Sequence, residues 1–408
     1  MKKVFLQFGS GLGPMSRSLP IAEGLQREGY IVKYFGFENA KPYMNKMGIE
    51  ELSENFNIKD IKKGVQTPNW YCAEQFWEII GYGNIEWVEK KVEELIEYLR
   101  DFSPDFIISD LGILSCIAAR IMDIPLIAIT QSCYHPNIAF GRIRWWEEEQ
   151  NLKFTLTEKL NNYFKKKGVS QLNSFEEIFT GSLTIIPSFP EFDPINDPSE
   201  FNTHYVGPIL WDPLDMAKEE YIKLFNRDKN KPTIFCYTAR FYDNVGESGI
   251  IIFKTLLSAL KEFDANIIFS TGSDSDRKIA KEISNSYGID EEKFSIIDWV
   301  PMGIAYGNSD VVIHHGGHGS CLGQFLYEVP SLIIPTHTER EYNARICTKM
   351  GVSKFIKRED IGKANILAEI AEILSNSSFK ERLHFWHAKL NEYNFTGVNK
   401  VLELIQKL

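Results

Sequence analysis

What most constrains this chain is an alternation that runs its whole length. Short apolar runs, most of four or five residues, are separated by segments with helical spacing. The clearest runs of the first half lie at 4–8, 31–35, 106–109, 126–130 and 183–186. Those of the second half lie at 233–237, 266–270, 294–297, 311–314 and 332–334. They are rich in Ile, Val and Phe and lack polar alternation. Strands buried on both faces read this way, and they belong to parallel sheets covered by helices. The segments 87–100, 250–263, 274–287 and 343–350 fit amphipathic helices. Alternating strands and helices predict a doubly wound α/β fold.

The series starts twice. The stretch 207–215 breaks at Pro208 and Pro213, and a new strand–helix series opens after Lys231-Pro232. Two Rossmann-like domains are therefore expected, at residues 1–207 and 208–408, with a cleft between them. The length of 408 residues agrees, at roughly 150 residues per domain. The last helix, 398–408, is too short to be a domain and is expected to pack back on the first one.

Charge and cysteine content exclude several classes. With 45 Lys and Arg against 55 Asp and Glu, the net charge is −10, which argues against a protein that tracks nucleic-acid phosphates. Six cysteines form no CxxC pair, so reduced thiols in a cytoplasmic protein are expected rather than zinc or disulfides. No apolar run approaches the roughly 20 residues of a membrane span. The run after Lys2-Lys3 stops at Gly9, too short for a signal peptide, and reads as the first strand.

The most informative stretch is Asp310-Val311-Val312-Ile313-His314-His315-Gly316-Gly317-His318-Gly319-Ser320. A buried strand runs into a glycine-rich turn and then a helix. Such a turn offers backbone N–H groups at a helix N-terminus, where the dipole favours an anion. Gly316, Gly317 and Gly319 would let a diphosphate approach the backbone, and a histidine can donate to a phosphate oxygen. A tight turn without a ligand would need no such cluster of histidines and a serine.

His315-Gly316-Gly317-His318-Gly319-Ser320, then Val329-Pro330, then Ile334-Pro335-Thr336-His337-Thr338-Glu339-Arg340, with Asp298-Trp299-Val300-Pro301 upstream, resemble the donor-binding half of the UDP-glycosyltransferase and macrolide glycosyltransferase family. The resemblance implies the GT-B architecture. It implies that His315, Gly316, Gly317, Gly319 and Ser320 hold a donor diphosphate, that Trp299 lies against the base and that the Val300 backbone reads its edge. Glu339 and Arg340 fall where the family holds the sugar, with Arg in place of Gln. The family's ribose-gripping Glu is Gly323 here, and its Gln after the loop proline is Met302. Both UDP and dTDP donors stay open. Arg240, at the end of a strand, is a candidate for the phosphates or for a surface salt bridge.

The opening Gly9-Ser10-Gly11-Leu12-Gly13-Pro14 resembles the family's first loop, with Ser10, Gly11 and Gly13 facing the acceptor. The family's catalytic histidine is replaced by Pro14, which cannot accept a proton. Its aspartate partner matches Asp110, read either as a base or hydrogen-bond partner facing the acceptor or as the cap of a helix starting near Leu111. Trp77, His135 and Trp145 are candidates to line an acceptor pocket, against a reading in which these aromatics pack the core. The Arg142-Ile143-Arg144-Trp145-Trp146 cluster also suits peripheral membrane contact. Asp274-Ser275-Asp276 looks like a metal-binding DxD but is expected to cap the next helix.

The expected activity is an inverting, metal-independent transfer of a sugar from a UDP or dTDP sugar to a small aromatic or apolar acceptor. The nucleotide sugar is a co-substrate, and no cofactor is expected. A catalytically inactive glycosyltransferase-like binding protein and a sugar-nucleotide epimerase are the alternatives. Monomer and homodimer both stay open.

Overall fold

The computed structural model describes the chain except residues 10, 37, 59–60, 62–68, 149, 226, 239–240, 242–247 and 290–293. The chain forms two compact units. The first comprises Met1–Gln66, Trp70–Trp211 and Asn394–Leu408, and the second Thr67–Asn69 and Asp212–Tyr393. The division lies four residues past the one read from the sequence, and the last segment belongs to the first unit.

Seven parallel strands make the first sheet: β1 (Lys3–Phe8), β2 (Ile31–Phe35), β3 (Glu50–Glu51), β4 (Phe106–Asp110), β5 (Leu126–Ile129), β6 (Leu183–Ile186) and β7 (Thr203–Tyr205). Their order is β3-β2-β1-β4-β5-β6-β7. Val4, Phe5 and Leu6 of central β1 are wholly buried, which is why that run carries no polar alternation. The β1–β4 register sets Phe8 beside Asp110. The strand order reverses between these two, and ligands of open α/β sheets bind outside the carboxyl ends at such a point.

The second unit repeats the plan with six strands: β8 (Thr233–Tyr237), β9 (Asn266–Ser270), β10 (Phe294–Ile297), β11 (Val311–His314), β12 (Ser331–Ile333) and β13 (Ser353–Phe355). The order β10-β9-β8-β11-β12-β13 puts the reversal between β8 and β11, where Tyr237 lies beside His314. β3 and β13 went unpredicted. They are two and three residues long and polar in part.

The C-terminal helix Val398–Gln406 packs on the Leu12–Arg27 helix of the first unit. The approach is close. A Cβ added at Gly24 would stand 2.8 Å from Val398 Cγ1 and 3.1 Å from Leu402 Cδ1, so any larger residue there would force the Val398 side chain to shift.

Candidate functional site

In the second unit, β11 ends at His314, and His315-Gly316-Gly317 turns the chain into the helix His318–Tyr327. Gly316 has φ +85°, and a Cβ there would lie 2.6 Å from the Arg340 carbonyl oxygen. Both conditions demand glycine. The turn is latched from two sides. Gly316 N donates to His314 Nδ1 at 3.1 Å, and Asn343 Nδ2 donates to Gly316 O and to Glu339 Oε1, each at 3.0 Å. Gly317 is the N-cap, and among the described residues no side chain caps this helix end. The first amide to bond back is Cys321 N, to Gly317 O at 3.0 Å. The Gly319 and Ser320 amides thus lie in the first turn of a helix whose positive end no side chain among the described residues caps, a general anion seat.

His315 flanks that seat and is 8% exposed. Its ring meets Tyr237 edge-on, with centroids 5.2 Å apart. Its Nδ1 has no hydrogen-bond partner among the described residues. Burial pushes its basicity well below the usual histidine range. Arg340, His314 and His337 push the same way, and a bond with the Tyr237 backbone partly offsets them. The imidazole is therefore neutral near pH 7. His314, wholly enclosed, is lowered to about 3 by burial.

The start of the helix Thr338–Lys349 supplies Glu339 and Arg340, both half-buried. Arg340 donates to Thr336 Oγ1. The predicted helix began at 343. The true start is earlier because His337 is extended and serves as N-cap, and the polar Thr338–Glu341 turn hides the apolar spacing.

Trp299 follows β10 and is half-buried, whereas Val300 is buried. The loop is pinned through Asp298. Its Oδ1 accepts the Trp299 N–H at 2.9 Å, and its Oδ2 accepts from Lys218 Nζ at 2.9 Å. Burial pushes the Asp298 carboxyl up, but hydrogen bonds from Tyr221, Lys218 and the Trp299 backbone leave it below the usual carboxylate range.

The two departures Met302 and Gly323 touch each other. A Cβ on Gly323 would lie 2.3 Å from Met302 Sδ and 2.9 Å from Tyr306 Cε2. The Met302–Gly307 helix therefore fills the space into which a side chain at 323 would project. Tyr306 also donates its hydroxyl to Ser320 O at 3.2 Å.

In the first unit the structure corrects the reading of Asp110. Arg17 grips it with a two-pronged ion pair, Nε to Oδ2 at 2.9 Å and Nη2 to Oδ1 at 2.8 Å. Both side chains are buried. Asp110 does not cap the following helix, which starts at Ile113 with Gly112 as N-cap. Ser109 Oγ accepts the Gly112 N–H instead, at 3.1 Å. Both Asp110 oxygens accept from Arg17, so the carboxylate is held in a buried ion pair.

Trp77 is buried, and Phe76, Tyr82 and Phe179 surround its ring at centroid distances of 5.1 to 5.5 Å. His135 is also buried. Its Nδ1 accepts from Asn137 N at 3.0 Å, and its Nε2 meets Thr203 Oγ1 at 3.0 Å. Trp145 is half-buried and stacks on Phe140 at 4.7 Å. Gly11 is the extended N-cap of the Leu12–Arg27 helix, with Gly13 in its first turn. Ser10 and Arg240 lie outside the described residues. In the DxD stretch, Ser273 is the cap. Asp274 pairs with Arg277 and Lys278, and Asp276 Oδ2 accepts the Phe241 N–H.

Sequence reading missed Arg17, Asn343 and Lys218. Asn343 carried a signal, since it stands four residues after Glu339 on one helix face. Among the described residues no helix is long and apolar enough to cross a membrane.

Residues 254–390 match the profile of the family described as "Erythromycin biosynthesis protein CIII-like, C-terminal domain". A PGL/p-HBAD biosynthesis rhamnosyltransferase of Mycobacterium bovis is 23% identical over 314 residues, covering 72% of this chain and 65%, just under two thirds, of its own length. Among solved structures, the calicheamicin glycosyltransferase CalG4 superposes with a TM-score of 0.73 at 16% identity, covering 100% of this chain and 98% of its own. The glycosyltransferase VinC, solved in complex with dTDP, gives 0.67 at 17% identity, covering 99% and 98%. The fold is GT-B, and the chain resembles the macrolide glycosyltransferases.

Proposed function

We propose that this chain is a nucleotide-sugar-dependent glycosyltransferase. It moves a sugar, with inversion, from a UDP or dTDP sugar on the second unit to a small aromatic or apolar acceptor on the first. The observation that carries the reading is the helix end reached by His315-Gly316-Gly317, which among the described residues no side chain caps, beside a buried imidazole whose Nδ1 has no partner among them. The diphosphate would take the Gly319 and Ser320 amides and His315. The base would lie on Trp299, with its edge at the Val300 backbone, and Glu339 and Arg340 would hold the sugar. As the bond from the anomeric carbon to the phosphate oxygen breaks, negative charge grows on the diphosphate, where these preformed donors stabilise it. The named activities of the relatives support the same reading.

Calorimetric titration of UDP and dTDP tests it. A hydrogen bond to a charged group contributes about 1.5–3 kcal/mol, so His315→Ala should weaken binding roughly 10- to 100-fold. Unchanged affinity would remove the diphosphate from this turn. The reading includes no metal, because amides and an imidazole can meet the phosphate charge. Turnover lost to EDTA and restored by magnesium or manganese would count against that part.

A second reading, binding without transfer, is favoured by one observation: Asp110 is taken up by Arg17 while Pro14 stands where the related enzymes carry their base. Turnover on any acceptor would dismiss it.

A further inference from the structure

The segment 212–221 opens the long run of the second unit and grips the loop 298–301 from both ends. At the start of the loop, Lys218 Nζ donates to Asp298 Oδ2 at 2.9 Å and to the Tyr221 hydroxyl at 3.2 Å. It also stands 4.7 Å from the centre of the Tyr221 ring. Just past the loop, Gly303 N in the helix Met302–Gly307 donates to Asp212 Oδ2 at 2.8 Å. The same oxygen accepts the Tyr327 hydroxyl at 2.6 Å. Burial and the Asp212 charge push that phenol above the usual tyrosine range, so it stays a donor. Tyr327 ends the helix His318–Tyr327, whose first turn carries the Gly319 and Ser320 amides. One carboxylate oxygen thus ties the exit of the Trp299 loop to the far end of the helix that starts at the glycine turn. The junction is tight. A Cβ on Gly303 would lie 2.8 Å from Asp212 Oδ2 and 3.1 Å from the Tyr327 hydroxyl oxygen.

We infer that Asp212 and Lys218 are positioning residues for the nucleotide: they hold the base loop at a fixed place from the diphosphate turn, so that one ligand reaches both. This deepens the glycosyltransferase reading and rests on it. A ligand with two recognised ends gains from both subsites only when their spacing matches its own. Side chains that meet a ligand need a supporting shell to keep them in place. Trp299 and Val300 lie between the two anchored residues, Asp298 and Gly303. With an anchor removed, that stretch can shift. The glycine turn keeps its own latches from His314 and Asn343. The loss therefore falls on the base and spares the diphosphate. Bonds to a carboxylate are roughly twice as strong as neutral ones, so Asp212 is the stronger anchor, and Lys218, on a more exposed ion pair, is the weaker.

The test measures Kd for UDP, dTDP and ADP by calorimetry, on the full chain and on Asp212→Ala, Tyr327→Phe and Lys218→Met. The unaltered chain should bind UDP or dTDP more tightly than ADP. Absence of nucleotide binding, or equal affinity for all three, would sink the parent reading. In Asp212→Ala the preferred pyrimidine nucleotide should bind roughly 10- to 100-fold more weakly, the scale of a lost hydrogen bond to a charged group. ADP, held by its diphosphate, should hardly change. Lys218→Met should shrink the preference by about 2- to 5-fold. Tyr327→Phe keeps the ring and should shrink it in the same direction. Thermal melts check folding, and if Asp212→Ala shows no transition, the other two variants decide. All three nucleotides weakened by one common factor would mean a general loosening of the unit. An unchanged preference in the folded variants would release the base loop from both residues. Either result overturns the inference and leaves the parent reading standing.

Discussion

Arg17 and Asp110 lie 93 residues apart and meet as a buried two-pronged ion pair at the carboxyl edge of the first sheet. The arginine stands three residues after Pro14 on the same helix, so it shares that helix face. Its side chain runs back toward the helix start, as helical side chains do: a Cβ placed on Gly13 would lie 3.9 Å from its Nη1. A carboxylate that the sequence offered as a base is thereby committed to a cation.

Separating the pair should be costly. Asp110→Asn leaves a guanidinium without its counter-charge among buried groups, an expected loss of about 3–5 kcal/mol. Arg17→Met with Asp110→Leu removes both charges and should cost less than either single change. Urea unfolding of Arg17→Met, Asp110→Leu and the double variant checks this. Strictly additive losses would mean that the two side chains are not coupled.

Nucleotide binding should take up a proton. Free His315 is neutral near pH 7, because burial and neighbouring Arg340 hold its basicity down. An arriving diphosphate favours the imidazolium, so the complex binds more protons than the free protein. Affinity then rises as pH falls through the histidine's bound-state value. Calorimetry in buffers of different ionisation enthalpy measures the uptake, and His315→Ala should abolish it. Equal apparent enthalpies in all buffers would contradict the proposed contact.

Mild acid should destabilise the first unit through His135. Its folded-state value, about 4, lies below the roughly 6.5 of an unfolded histidine. Between those values the unfolded chain binds the extra proton, so stability falls as pH drops through that window. Thermal melts of His135→Gln should show a flatter dependence there, and an unchanged slope would assign the effect elsewhere.

Gly323→Ala should overpack the contact with Met302 and Tyr306, costing about 1–3 kcal/mol despite alanine's better helix propensity. Adding Met302→Ala should recover part of the loss in thermal unfolding. If Gly323→Ala proves stabilising, the neighbouring side chains yield more readily than their packing suggests.

The strands buried on both faces were legible because their apolar runs stand out against any neighbouring segment. β3 and β13 were not, since two or three partly polar residues at a sheet edge have no period to detect. The anion turn could be read because glycines and histidines concentrate within a few positions. Arg17 could not, because a charged residue in a helical pattern reads as a solvated one, and its partner comes from a distant strand. Met302 and Gly323 were visible as separate departures. Only the packing of one helix on another makes them a single contact. Trp77 and His135 stood as pocket candidates because they follow strands, with core packing as the alternative, and the structure buries both.

The helix Val398–Gln406 closes over Gly24, and this sets a timetable. The face of the first helix that carries Gly24 is made early in synthesis, whereas its cover emerges only after the second unit has been translated. The first unit therefore completes late, through a contact between residue 24 and residues 398 and 402, the kind of long-range closure that slows folding. Until then an apolar strip around Leu402's future seat is open to solvent and to other nascent chains. A nascent chain stalled before residue 398 would present a chaperone with a nearly formed domain that lacks its final side.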